Sequence, residues 1–216
     1  MSITAEMAME TLRLSADPDK ASVLNSRSGT SDALGVPPQT LEDLARTWRQ
    51  DTPFPERLEL ARALWGQPVF EARLMAAKLL TQARIAEDAA IWDQICAWIS
   101  EAESWAELDA LAGAGARRIV TDLTRMGTVH DLAKSERALD RRAALGLSLP
   151  LAKLAHPTEE ELGAIDDVLY WLTYALQDPD KDVSRMADSW LKSLGKHDRK
   201  RAGMVRRVVQ SRTTSD

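Results

Sequence analysis

A chain of 216 residues with 44% hydrophobic and 28% charged residues has the composition of an ordinary globular protein and can bury a sizeable core as one domain. Its formal charge of −5, from 28 Lys and Arg against 33 Asp and Glu, argues against unspecific adhesion to nucleic acid; contact with a polyanion must rest on a local basic surface. One cysteine, Cys96, rules out a disulfide framework within the chain.

Residues 1–36 read as an irregular, partly helical segment packing on the helices of 37–216, with a short helix and loop within 15–36. The opening MSITAEMAMETLRL carries Glu6 and Glu10 and lacks the basic-then-apolar layout of a signal peptide, so a cytoplasmic protein is expected. The most apolar stretch, AALGLSLPLA at 143–152, is too short for a membrane span and contains Pro150.

From residue 37 onward almost every segment has helical period. In PPQTLEDLARTWRQ (37–50), Leu41, Leu44, Ala45 and Trp48 recur at i, i+3, i+4 and i+7, with prolines ahead of the first turn. A second helix opens after Thr52-Pro53 and stops at Gly66-Gln67-Pro68. VFEARLMAAKLLTQ (69–82) and EDAAIWDQICAWISEA (87–102) come next, the latter expected to hold Cys96 as a core thiol. Further helices are predicted at 128–134, 136–154, 158–177, 180–195 and 197–211, punctuated by His156-Pro157, Asp178-Pro179 and Gly195. Helices of this length joined by short breaks favour an all-α, HEAT-like superhelical solenoid of antiparallel helix pairs over 37–216, within a single domain overall.

Within SWAELDALAGAGARR (104–118), Ser104 and Glu107 have the spacing of a capping box. A helix therefore starts at Trp105, and Asp109, four residues on, shares its face one turn away. Charge is also unevenly distributed: residues 181–216 hold ten Lys and Arg against four acids, a local +6 that leaves −11 for the first 180.

Several chemistries lack their residues. His130, His156 and His197 have no ligand spacing for a metal. No phosphate-binding loop, dinucleotide fingerprint or G-x-S-x-G is present, and Cys96 has no basic neighbour to activate it. What remains is a carboxylate beside an indole (Asp109, Trp105), the Arg141-Arg142 pair, and Trp190 flanked by Arg185 and Lys192.

Five segments, in order, carry a family resemblance: GVPPQTLEDLARTW (35–48), FEARLMAAKLL (70–80), ESWAELDALA (103–112), LDRRAALGL (139–147) and RMADSWLK (185–192). Together they resemble the bacterial DNA alkylation repair family of the AlkC/AlkD type, HEAT-repeat DNA glycosylases. The resemblance implies a base-excision-repair enzyme that removes positively charged N3- or N7-alkylated purines from double-stranded DNA. It implies no metal, organic or nucleotide cofactor, no membrane, and a monomer. It makes Asp109 the catalytic carboxylate, Trp105 and Trp190 the aromatic walls, and Arg142, in preference to Arg141, the backbone contact; Arg185 and Lys192, near Trp190 in sequence, are expected to add DNA contacts on a basic face. The chain departs from the family at Leu132 and Leu139, where tryptophans are usual. A second reading stays open beside the enzyme: a non-catalytic helical-repeat module that binds DNA structure or a protein partner.

Overall fold

The computed structural model describes residues 3–28, 32–85 and 87–213, and among them every regular element is helical. The all-α class is therefore established. The chain divides into two compact units, Met1–Ala114 and Gly115–Asp216; residues 29–31 of the segment read as a loop lie outside the described residues.

In the first unit, α1 (Ala5–Leu14) is capped by the Thr4 hydroxyl, which accepts from the Met7 N–H, and buries Ala8, Met9 and Leu12. It packs on α4 (Glu56–Trp65) and α5 (Phe70–Leu79). In sequence α1 is followed by α2 (Pro18–Ser28) and α3 (Pro38–Asp51), the latter burying the predicted stripe Leu41, Ala45 and Trp48 and packing on α5. Helix α5 is apolar nearly all round, with Phe70, Ala72, Met75, Ala76, Ala77 and Leu79 buried, as a central helix must be. In α6 (Ala89–Glu101), Trp98 stacks on Trp65 of α4 with centroids 4.8 Å apart. Helix α7 (Trp105–Thr121) begins where the capping box placed it.

In the second unit, α8 (Met126–Ala133) packs on α9 (Ala138–Ser148), and α10 (Glu159–Ala175) on α11 (Lys181–Leu194) and α12 (Arg199–Thr213). Alternate helices also meet: α9 with α11, and α10 with both α8 and α12. Contacts between every second helix are what stacked helix pairs produce, each pair covering the apolar face that its neighbour leaves open. The long helix read over 136–154 is shorter than expected. It ends at Ser148, and Pro150 starts a separate 3-10 turn at Leu151–Lys153, because proline lacks the N–H that would continue the ladder.

Candidate functional site

The sequence-predicted residues fall in both units. In the first, Trp105 and Asp109 stand one turn apart on α7, and both are exposed, Trp105 at 45%. An indole that open on a folded domain is out of the ordinary for so large an apolar side chain. The helix beneath it is held firmly. The Glu107 carboxylate accepts from the backbone N–H groups of Glu103 (2.9 Å) and Ser104 (3.1 Å), while the Glu107 N–H donates to the Ser104 hydroxyl (3.3 Å).

Glu107 is itself buried, and its charge is met by Arg73 of α5 at 3.4 Å. The Arg73 guanidinium also lies over the Trp65 ring, 5.4 Å from its centroid, a favourable cation–π arrangement. Two residues earlier on α5, the buried Glu71 carboxylate accepts from three successive amides, Leu34 (2.8 Å), Gly35 (2.7 Å) and Val36 (3.2 Å). Gly35 has φ +78°, and a Cβ there would sit 2.1 Å from the Asp17 carbonyl oxygen, so only glycine fits. Two of the three charged positions of FEARLMAAKLL are thus internal struts: Glu71 ties the Gly35-Val36 turn to α5, and Arg73 steadies the first turn of α7. The apolar period of α5 did not reveal this, since both partners lie more than thirty residues away in sequence.

The second unit holds the remaining candidates, and two need correction. Trp190 is fully buried, and its indole N–H donates to the Ser148 hydroxyl at 3.2 Å. It is a core residue between α9 and α11, with no face open to a nucleotide. Its place was legible from spacing, for Val183, Ala187, Trp190, Leu191 and Leu194 form one buried stripe of α11. Arg141 is equally committed. Its guanidinium grips Asp178 through two bonds of 2.7 and 2.9 Å and donates to the carbonyls of Ser135 (3.0 Å) and Glu136 (2.8 Å). That fork joins the start of α9 to the turn before α11 and leaves little donor capacity for a phosphate.

Burial pushes the Asp178 carboxyl up, but the hydrogen bond from Arg141, the Asp180 N–H and the Arg141 charge together hold it below the usual carboxylate range. Asp178 in turn raises Arg141. Arg142 is half-buried and donates to the Asp182 carbonyl at 2.9 Å; Asp182 also pairs with the exposed Arg185 at 3.5 Å. Lys192, near the end of α11, is exposed. Among the described residues no group of three or more His, Cys, Asp or Glu is placed to hold a metal ion, and no helix is long and apolar enough to cross a membrane.

The model of the DNA alkylation repair enzyme family matches residues 8–204. The chain belongs to that family. Among solved structures, members and relatives share its fold at low sequence identity. A predicted DNA alkylation repair enzyme from Enterococcus faecalis superposes with a TM-score of 0.71 at 15% identity, covering 88% of each chain. AlkD2 from Streptococcus mutans gives 0.59 at 17% identity, with 89% of this chain and 88% of that one covered. A second Streptococcus mutans protein, smu.31, also gives 0.59, at 18% identity over 77% of this chain and 81% of that one. A sequence search of the curated proteins finds no match. At such identities the structural likenesses speak to the family's helical architecture alone, and the role of each side chain rests on its own surroundings.

Proposed function

We propose that this member of the family is a DNA glycosylase that excises N3- or N7-alkylated purines from duplex DNA, with Asp109 as its catalytic carboxylate. The observation that carries the reading is the exposed Trp105–Asp109 pair on a helix start fixed by buried charge. Alkylation at N3 or N7 places a positive charge on the purine. When the C1′–N bond breaks, its electron pair neutralises the base and the cationic character moves to the sugar. An indole face attracts either cation, by about 0.5–2 kcal/mol. A carboxylate about 4 Å from the developing oxocarbenium gains about 4 kcal/mol at an effective dielectric near 20, which approaches a thousandfold in rate.

Water then bonds to C1′ and gives up a proton, for which Asp109 is the acceptor. Arg142, Arg185 and Lys192 serve as contacts to the DNA backbone in this reading. The reaction needs no metal or organic cofactor, because the leaving group is already activated. Purified protein is expected to release 3-methyladenine or 7-methylguanine from methylated duplex DNA. Asp109→Asn should abolish release while duplex binding is kept; equal release by both proteins would remove Asp109 from the chemistry.

The burial of Trp190 and the full commitment of Arg141 favour a second reading, a non-catalytic helical module that binds DNA structure or a protein partner. The same release assay separates the two.

A further inference from the structure

We propose that the outward face of α12 grips the phosphate backbone of duplex DNA as a contact separate from Arg142, Arg185 and Lys192. The proposal rests on the DNA-directed function proposed for the chain. Helix α12, RKRAGMVRRVVQSRT, contains six Lys or Arg and neither Asp nor Glu. Two of its cations bind the helix to its own unit. Arg201 pairs with Asp166 of α10 (2.8 Å) and with Asp198 (2.9 Å), and Arg212 donates to the Thr173 hydroxyl (3.0 Å) while lying over the Tyr174 ring at 4.2 Å. Ala202 and Val205 are buried on the same side.

Four others, Arg199, Lys200, Arg206 and Arg207, are exposed, and among the described residues none of them is in an ion pair. At about 100° per residue they fall within an arc of about 120°, turned away from Arg201. Arg199 with Arg206 and Lys200 with Arg207 form two rows, each pair about 10 Å apart along the axis. Gly203 lies between the rows, with nothing within 4 Å of where its Cβ would be, so a strand can come close to the helix backbone. Lys196, exposed in the preceding turn, extends the cationic surface before the helix.

The occupant follows from charge complementarity. The first 180 residues carry a net −11, so the acid-free helix is where the chain's attraction for a phosphate backbone is concentrated. A membrane surface fits less well. The apolar residues of α12 mostly point into the unit, leaving only Met204 and Val208 exposed, far short of the broad apolar face that interfacial helices insert.

The test compares the full-length protein with the variant Arg199→Gln/Lys200→Gln/Arg206→Gln/Arg207→Gln, reading fluorescence anisotropy of an undamaged duplex of about 20 base pairs across a salt series. Each phosphate contact contributes about −0.9 to the slope of log K against log salt. The variant should lose about 2–4 units of slope and bind at least about tenfold more weakly at low salt. Its thermal melt and its base release at saturating DNA should match wild type. Equal affinity and slope in the two proteins would overturn the proposal. So would α12-dependent binding to vesicles of anionic lipid or to single-stranded RNA that exceeds binding to duplex DNA. The two proposals fail separately: α12-dependent binding without base release removes only the glycosylase, and base release with unchanged binding by the variant removes only the α12 contact.

Discussion

Charge is used in opposite ways in the two units of this chain. Around α5 the charged side chains Glu71, Arg73 and Glu107 point inward, and their partners are backbone amides or one another. On α12 the cations Arg199, Lys200, Arg206 and Arg207 point outward and, among the described residues, form no ion pair. A buried charge must be fully partnered to be tolerated, and removing one partner leaves the other stranded. An exposed charge costs little to keep and contributes little to stability. The contrast separates architecture from interaction: residues of the first kind specify the fold, and residues of the second kind are available to a ligand.

The sharpest way to break that contrast is Glu71→Ala, which strands three amide donors inside the first unit. It should cost about 3–5 kcal/mol, read as a fall in the urea midpoint; a loss below about 1 kcal/mol would mean that the turn finds other partners. Trp190→Ala should cost a similar or slightly smaller amount, about 3–5 kcal/mol, by opening a core cavity. If Trp190 instead faced solvent, that variant would melt like wild type. Ser104→Ala removes the hydroxyl half of the capping box and should cost about 1 kcal/mol, with a matching fall in base release if the start of α7 positions Asp109.

The Arg141–Asp178 fork gives the contrast a pH signature. The carboxyl of Asp178 is depressed in the folded protein, so the stability it contributes is complete above the unfolded value, near 3.9, and is lost as pH falls through the lower folded value. Arg141→Met should flatten that acid limb below about pH 4, as denaturant titration at each pH would show. Smallest of all, Arg206→Gln/Arg207→Gln should shift stability by no more than about 0.5 kcal/mol while it weakens DNA binding.

Much of the fold was readable because helix burial follows a local period. Leu41, Ala45 and Trp48 on α3 and Ile91, Ile95 and Trp98 on α6 are buried where their spacing puts them. The capping box of α7 was equally local, with Ser104 and Glu107 three residues apart. What escaped were pairings set by tertiary contact. Nothing in the neighbourhood of Glu71 announces that its partners are residues 34–36, and the burial of Glu107 follows from Arg73, supplied by another helix.

Trp190 failed for a different reason. Its basic neighbours Arg185 and Lys192 suggested a ligand face, but on a helix adjacent charges point elsewhere, and the i, i+4, i+7 pattern running from Val183 placed the indole in the core. Arg141 and Arg142, neighbours in sequence, likewise have separate duties, the first locked on Asp178 and the second on the Asp182 carbonyl.

The turn at Gly35 carries a consequence for how this chain can change over generations. Any side chain there would collide with the Asp17 carbonyl, and the amides that the turn presents have meaning only with a carboxylate at position 71 to receive them. Neither position can drift alone. Relatives that have exchanged Gly35 for a larger residue are expected to have exchanged Glu71 as well, and an alignment of the family would show the two positions inherited as a pair.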